Sequence, residues 1–497
     1  MTTTTGLPTP PDMPPGWHPK RPPGPTPWLR RRFHHPEKNH AWTATLLVTA
    51  VAAIVRLVGL SHPSGLIFDE VYYAQDARTL LQHGVEWDLA SDTAAFVAHP
   101  PFGKWLIGLG QLTFGYNETG WRIASATVGV LTVFVLIRLL LRMTGSMTLS
   151  ALGGLLLALE GSHVVLSRVA LLDVFLAFFV LLGFYCLVRD RQTHDHELWG
   201  KRTAFLVRHR WRIACGAAFG LAMGIKWSAL WFILAALLLV VVWDACRNTA
   251  VKRRRPWWRA LPSVLLPGAV SVGVYLASWW GWFANSEAYG RRQLEEQGST
   301  YIPVVTDVAN WFQYHLDIYN FHAQLSAEHS YQSTPLEWLF NLRPVVFYWS
   351  SDVSCGADKC AAEVLLLGTP LLWWLFIPAL LAMALWGIAR KDWRAGLVVV
   401  VVTAGILPWL FYPDRTMFFF YIAPVVPFFI IAVVWMLGLI LGPAGSSSER
   451  RLIGALIVGA YVAAVVLCFA YFWPLYTGEP MNYDDWHSRI WLSDRWI

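Results

Sequence analysis

The sequence predicts an all-α, polytopic membrane protein, and three observations support this class. Of the 497 residues, 56% are hydrophobic and 14% are charged, whereas soluble globular domains carry roughly 25% charged residues. Apolar runs of about 20 residues, the length that a helix needs to cross the hydrocarbon core, recur along the chain. The 29 Trp and 17 Tyr residues supply the aromatic belts expected at the two membrane interfaces.

Residues 1–40 are predicted to form a Pro-rich, disordered, cytoplasmic tail. They are rich in Pro and Thr and have almost nothing to bury. A short apolar segment with a small-residue cleavage site does not follow them, so a signal peptide is not expected. Arg30, Arg31, Arg32 and Lys38 precede the first apolar run, and such basic residues hold a terminus in the cytoplasm.

Eleven apolar segments are predicted to span the membrane, which places the C-terminus outside. They form an N-terminal transmembrane module at 41–283, which includes a first outer loop at 61–121, and a C-terminal transmembrane module at 362–497. A second outer segment, at 284–361, separates the two modules. The predicted spans are 41–60, 122–141, 147–163, 170–188, 212–227, 228–245, 261–283, 362–387, 395–411, 417–441 and 452–474.

The positions of the basic residues agree with this topology. Lys and Arg concentrate in the predicted inner loops, around 189–210, 247–259, 390–394 and 450–451, and are sparse for their length in the two outer segments. Membrane orientation therefore explains the net charge of +7, and nucleic-acid binding is not expected.

The six cysteines fall into two groups. Four lie in or near predicted spans, where a thiol packs as a small hydrophobe. Cys355 and Cys360 lie together in the second outer segment, in "SCGADKC", where an oxidising exterior permits a disulfide. A metal site is the alternative, but no second pair of cysteines accompanies these two, so we expect a structural disulfide.

Two adjacent acids stand at the head of the first outer loop, in "GLIFDEVYYAQDA" (65–77). Asp69 and Glu70 are surrounded by Phe68, Tyr72 and Tyr73, which is unusual for a solvated acidic surface. Neighbouring residues on a helix point about 100° apart, so we expect one acid to perform chemistry and the other to hydrogen-bond the scaffold. The alternative is that the pair caps the N-terminus of the helix that follows.

Ionisable residues also occur at the predicted outer ends of several spans, where they are costly and usually functional. Each could instead be a snorkelling or paired end-charge. Together, however, Arg and Lys at the headgroup level suit a phosphate, and nearby acids suit proton removal. The set therefore predicts a transferase with a lipid-linked phosphate donor. Its members are Arg122, Glu160, Arg168, Asp173, Lys226 and Arg415.

The motif "AHPPFGKW" (98–105) lies in the same outer loop. Its two prolines stiffen the chain, and Gly103 permits close approach to a ligand or backbone. His99 and Lys104 are candidates for contact with the donor. The alternative is a re-entrant turn anchored at the membrane interface.

His315, His322 and His329 recur every seven residues in the second outer segment. Seven residues of helix rise about 10.5 Å, too far for neighbouring histidines to share one ion at Zn–N distances of about 2 Å. We therefore expect no metal or other cofactor. Together with Trp311, Ile318 and Leu325 they predict an amphipathic helix, on the membrane surface or across the cavity mouth, with its histidines on the buried edge. One of them is a candidate for contact with sugar or acceptor.

From about residue 45 to the C-terminus the chain resembles the protein O-mannosyltransferase family. Asp69-Glu70, "HPPFGKW", "WRIASA" (121–126) and the His-spaced outer segment carry the resemblance. It implies a C-type glycosyltransferase fold and inverting transfer of mannose from polyprenyl-phosphate mannose to Ser or Thr of secreted proteins, outside the plasma membrane. The secretion translocon is a further partner to expect.

The resemblance also implies roles for individual residues. Asp69 would be the base, with Glu70 shaping the site, and Arg122 would serve the donor or the site architecture. His99, Lys104, Lys226 and Arg415 would lie near the donor phosphate and sugar. Two departures stand out: Val97 occupies a position where many members carry an acid, and 284–361 is too short for the β-trefoil insertion of eukaryotic members. A compact bacterial form is therefore expected.

Two rival functions use other acceptors or other chemistry. A transferase of the same fold could modify a lipid or a cell-wall glycan, as in aminoarabinose or arabinosyl transfer. A transporter would show internal repeats and broken helices near the bilayer centre, but the sequence shows no repeat and its charges gather at one outer level.

Overall fold

The computed structural model describes residues 38–197, 205–250, 261–443 and 445–496, which are mainly helical. The predicted tail lies outside them except for residues 38–40, and so do parts of two predicted inner loops. Two short 3-10 segments span Leu407–Phe411 and Phe419–Val425. The helices are α1 (Lys38–Leu57), α2 (Glu70–His83), α3 (Phe102–Phe114), α4 (Glu118–Thr144), α5 (Met147–Ala158), α6 (Gly161–Arg168), α7 (Leu172–Glu197), α8 (Phe205–Met223), α9 (Ala229–Ala250), α10 (Leu261–Ser278), α11 (Trp280–Ala284), α12 (Gln293–Glu296), α13 (Val305–Gln324), α14 (Pro335–Phe340), α15 (Pro370–Trp373), α16 (Phe376–Arg390), α17 (Trp393–Ile406), α18 (Val426–Leu441), α19 (Ser448–Thr477), α20 (Tyr483–Ser488) and α21 (Ser493–Trp496).

The predicted membrane class is confirmed. Among the described residues, eight helical segments are long and apolar enough to cross a membrane, and nine if the bent pair α5–α6 forms one span. The two other predicted spans correspond to α8 and the short α10. Each of the eleven predicted segments thus contains a helix, and the count of eleven spans stays a prediction.

The predicted span 147–163 is divided by a bend of 60° between α5 and α6. Glu160 lies at the bend, and its carboxylate caps α6 by accepting from the backbone N–H groups of Ser162, at 3.1 Å, and His163, at 2.7 Å. An acidic N-cap satisfies donors that a helix start leaves unpaired. Glu160 is therefore a structural end-group that starts a new helix.

A small antiparallel sheet, which the sequence did not predict, lies beside the spans. Its strands are β3 (Val345–Ser350), β4 (Cys360–Leu366) and β5 (Met481–Asn482), and a separate hairpin joins β1 (Trp87–Asp88) to β2 (Thr93–Ala94). The predicted start of a span at residue 362 is wrong because β4 occupies that position. β4 is buried along its whole length, so its apolar sequence cannot be told from a span by hydropathy.

The turn between β3 and β4 carries the predicted disulfide. Cys355 and Cys360 are bonded to each other, which confirms that expectation. The turn therefore closes the hairpin covalently beside the edge of the sheet.

The amphipathic helix of the second outer segment is α13. Trp311 and Ile318 are buried on one face, and His315 and His322 lie on the same helix. His329 does not, because α13 ends at Gln324 and His329 is exposed in the loop that follows. The predicted third histidine of the stripe is therefore wrong.

Helices α3 and α4 approach each other backbone to backbone. A Cβ on Gly110 would lie 2.4 Å from the Gly120 carbonyl oxygen. The contact ties the short helix of the "HPPFGK" motif, which is too short to span a membrane, to the long helix that carries Arg122.

Gly110→Ala should lower the apparent melting temperature of the detergent-solubilised protein, because the new methyl group must displace backbone. Overpacking of this kind typically costs about 1–3 kcal/mol. Gly273→Ala is the matched control: its Cβ would meet nothing within 4 Å, so the melting temperature should stay level or rise. Equal behaviour of the two variants would contradict the close contact.

Candidate active site

The residue before the acid pair has a rare backbone conformation. Phe68 has a φ of +47°, a region that costs non-glycine residues about 1–3 kcal/mol and is often found at functional sites. Its ring stacks on Phe347 of β3, with ring centroids 4.4 Å apart, and meets Phe420 edge-on. The sheet therefore holds the turn that places Asp69 at the start of α2.

The Asp69 carboxylate has no hydrogen bond or ion pair with any residue that the structure describes, and it does not cap α2. It is half-buried. Burial raises the pKa of Asp69 to about 6, while Lys226 opposes the shift and Asp173 adds to it. An unengaged carboxylate with this pKa is suited to accept a proton near neutral pH.

Glu70, in contrast, belongs to the scaffold. It is fully buried, and its two oxygens accept from Arg122 Nε and Nη2, each at 2.8 Å. They also accept from the backbone N–H groups of Ile67, at 3.1 Å, and Ala170, at 2.9 Å. With four donors around it, Glu70 joins the outer loop, α4 and the segment before α7.

Arg122 is equally engaged. Besides Glu70, its guanidinium donates to the carbonyl oxygens of Leu60 (3.3 Å), Pro63 (2.7 Å) and Gly65 (3.0 Å). A guanidinium has five N–H donors, and these contacts engage all of them. Arg122 therefore holds the loop that leads to Asp69 and keeps no donor for a ligand.

Asp173 and Lys226 form a second acid–base pair. Lys226 Nζ donates to Asp173 Oδ2 at 2.7 Å, and its ammonium lies over the rings of Phe420 and Tyr421. An ammonium has three donors, so two remain after the contact with Asp173. The pair is near enough to Asp69 to act on its charge.

Arg415 also keeps unused donors. Its Nε donates to the His322 carbonyl at 3.1 Å, Nη1 to Tyr421 Oη at 3.3 Å and Nη2 to His322 Nδ1 at 3.3 Å. Two of its five N–H groups are thus without a partner among the described residues. They form a fork that suits a phosphate oxygen.

The "HPPFGK" motif is brought to the same place by two contacts. The backbone N–H of Phe102 donates to the carbonyl oxygen of Gly224, at 3.0 Å, in the break between α8 and α9 that also holds Lys226. His99 lies between Tyr73 and His322, with ring centroids 6.4 and 5.2 Å away. Burial, with Lys226 next in importance, lowers the pKa of His99 well below its ordinary value, so the ring is neutral.

Two predicted site residues are engaged elsewhere. Lys104 is buried and pairs with Glu86, at 2.5 Å, and Asp76, at 3.4 Å. Arg168 donates to backbone carbonyls at the C-terminal end of α1, including Val58 and Gly59 at 2.7 Å each. Substrate-binding roles for Lys104, Arg122 and Arg168 stay predictions, whereas their structural contacts are evident.

The structure thus brings together Asp69, His99, Asp173, Lys226 and Arg415. Two further residues belong to this group, and sequence reasoning assigned a role to neither: Tyr73, which it placed beside the acid pair, and Tyr421. Tyr73 was detectable, since it lies four residues after Asp69 on α2 and hence on the same face. Tyr421 lies in an apolar aromatic run, and the sequence carries no signal that sets it apart.

The described part of the chain contains no group of three or more His, Cys, Asp or Glu side chains that could hold a metal ion. Asp69 and Asp173 are accompanied by cations instead.

Comparison with known families covers most of the chain. Residues 46–283 match the family described as dolichyl-phosphate-mannose-protein mannosyltransferase, and residues 308–496 match the C-terminal four-transmembrane region of protein O-mannosyltransferase. The chain is 37% identical over 487 residues to the polyprenol-phosphate-mannose–protein mannosyltransferase of Mycolicibacterium smegmatis, covering 92% of this chain and 93% of that protein.

Two solved structures share the fold. The Pmt1-Pmt2 protein O-mannosyltransferase complex of Saccharomyces cerevisiae, bound to the sugar donor, matches with a TM-score of 0.75 at 15% identity, over 91% of this chain and 92% of that chain. ArnT from Cupriavidus metallidurans, bound to undecaprenyl phosphate, matches with a TM-score of 0.52 at 20% identity, over 86% and 69%. The expected C-type glycosyltransferase fold is confirmed.

Glu70→Gln should destabilise the protein strongly, because it leaves the buried Arg122 charge uncompensated, a change that costs about 3–5 kcal/mol in other proteins. Asp69→Asn makes the same charge change one residue earlier. Because the folded-state pKa of Asp69 is raised, its ionised form costs stability at neutral pH, so Asn should leave the melting temperature level or slightly higher. Thermal unfolding in detergent compares the two variants, and the reverse order would contradict the division of roles.

Proposed function

The chain belongs to the dolichyl-phosphate-mannose-protein mannosyltransferase family, and we propose that it transfers mannose from polyprenyl-phosphate mannose to a Ser or Thr hydroxyl of a secreted protein, with Asp69 as the general base. It is a multi-pass membrane glycosyltransferase. The observation that carries the residue assignment is the unengaged Asp69 carboxylate near Lys226, in a group where both Lys226 and Arg415 retain unused N–H donors.

The reaction proceeds in one inverting step. The acceptor hydroxyl oxygen forms a bond to the anomeric carbon while its proton passes to Asp69. The bond from that carbon to the phosphate oxygen breaks, and the electron pair leaves with the polyprenyl phosphate. Phosphate is a good leaving group, so it needs charge neutralisation rather than protonation. One catalytic carboxylate is therefore sufficient, unlike the two of glycosidases.

The unused donors of Lys226 and Arg415 are assigned to the phosphate of the donor. Arg415 offers a fork of two N–H groups, and Lys226 offers a compact charge. Asp173 fixes the Lys226 ammonium at 2.7 Å, and Tyr421 fixes one side of Arg415 at 3.3 Å. Preorganised cations of this kind stabilise charge as it develops on the leaving group.

We assign the site to the outer face of the cell membrane, with the N-terminus inside. The support is the concentration of Lys and Arg in loops on the opposite side, together with the disulfide Cys355–Cys360, which forms in oxidising compartments. The acceptor protein then meets the enzyme after crossing the membrane, and the secretion translocon is a candidate partner.

Purified protein with labelled polyprenyl-phosphate mannose and a Thr/Pro-rich peptide should glycosylate the peptide. Asp69→Asn should lower kcat by roughly 10²-fold or more, the usual contribution of a general base. Asp352→Asn, an exposed acid of the β3–β4 turn, is the control and should keep wild-type activity. Sugar appearing only on lipid would replace the protein acceptor by the lipid or glycan alternative, and transport without bond cleavage would remove the enzyme assignment.

The pH dependence of kcat/KM should report the ionisation of Asp69. The base must be deprotonated, and its pKa is raised to about 6, so activity should rise about tenfold per pH unit below that value and level off above it. Burial also raises the pKa of Glu363, on β4, to about 7. Glu363→Gln should therefore leave the acidic limb of the kcat/KM profile, near pH 6, unchanged. Loss of that limb in the Glu363→Gln variant would contradict the assignment of the limb to Asp69.

A further inference from the structure

His322 connects the two parts of the site that would meet the donor. Its Nε2 lies 2.9 Å from the Ala98 carbonyl oxygen, and its Nδ1 lies 3.3 Å from Arg415 Nη2. A carbonyl only accepts and a guanidinium only donates. The ring must therefore be neutral, with its proton on Nε2 and a lone pair on Nδ1.

The helix that carries His322 is held in place by hydrogen bonds to neighbouring segments. On α13, Tyr314 Oη contacts both the backbone N–H of Val97, at 3.1 Å, and its carbonyl, at 3.3 Å. His315, one heptad before His322, lies between Tyr275 Oη, at 2.7 Å, and the Trp311 carbonyl, at 2.8 Å. Tyr314 and His322 thus hold successive residues of the segment that leads to His99.

Resting on the proposed function, we propose that His322 is a positioning residue for the donor: its neutral ring fixes Arg415 relative to segment 98–99, so that the unused Arg415 fork and His99 face one phosphate-sugar ligand. The His322 backbone adds to this, because its carbonyl accepts from Arg415 Nε at 3.1 Å. Burial, with Arg415 next in importance, lowers the pKa of His322 to about 4, which keeps the ring uncharged at neutral pH.

Three substitutions separate the two contacts of the ring. His322→Ala removes both. His322→Asn keeps an acceptor where Nδ1 stands, and so retains the Arg415 contact. His322→Gln keeps a donor where Nε2 stands, and so retains the Ala98 contact.

KM for the donor and KM for the peptide should separate in these variants. His322→Ala should raise the donor KM roughly tenfold or more, as expected for loss of a hydrogen bond to a charged group, and leave the peptide KM within about twofold. His322→Asn should restore most of the donor KM and His322→Gln less. An unchanged donor KM in His322→Ala, or no rescue by Asn, would overturn the proposal.

His315→Asn is the matched control on the same helix, since its ring touches neither Arg415 nor Ala98. It should lower the melting temperature and leave the donor KM unchanged. A rise of the donor KM equal to that of His322→Ala would overturn the proposal, because any damage to α13 would then have the same effect. Binding of undecaprenyl phosphate, followed by thermal shift, needs no acceptor. His322→Ala should weaken it even if peptide transfer, and with it the proposed function, fails; unchanged binding would overturn the positioning role.

Discussion

The buried pair of Glu70 and Arg122 is the interaction on which the outer part of the molecule depends. All five N–H groups of Arg122 donate hydrogen bonds, either to Glu70 or to the carbonyls of the loop before it. The Glu70 carboxylate also accepts hydrogen bonds from two backbone N–H groups. Such a pair is costly to bury and still more costly to break, so it fixes the start of α2 in one place. Asp69 is presented from that fixed point.

The number of N–H donors left without a partner separates the structural cations from those able to bind a ligand. Arg122 is saturated, whereas Arg415 and Lys226 each keep two N–H groups after their contacts within the described residues. Burial alone does not make this distinction, because Arg122 and Lys226 are both buried. Lys226 is near enough to Asp69 to oppose the rise of its pKa, and the Lys226 ammonium and the Arg415 guanidinium lie over the same Tyr421 ring. In the proposed mechanism, one group of residues therefore holds both the positive charge for the leaving group and the base for the acceptor.

Sequence reasoning reached the membrane class, the fold and the acid pair, because hydropathy and the "HPPFGK" motif are local signals. It also anticipated that one acid would serve the scaffold, but pattern alone does not say which: the answer depends on Arg122, 52 residues away in the chain. Strand β4 was not predicted, because a buried strand and a membrane-spanning helix have the same hydropathy. The sequence does not show that Lys104 is engaged, because its partner Glu86 lies on another segment.

The most direct measurement is a structure of the protein with an unreactive analogue of polyprenyl-phosphate mannose and an acceptor peptide. Asp69 should lie within about 2.6–3.2 Å of the acceptor hydroxyl, and Lys226 and Arg415 should contact the phosphate, with Glu70 still paired to Arg122. A phosphate bound by Arg122 or Arg168, or a hydroxyl that faces Glu70 while Asp69 points away, would contradict the assignment.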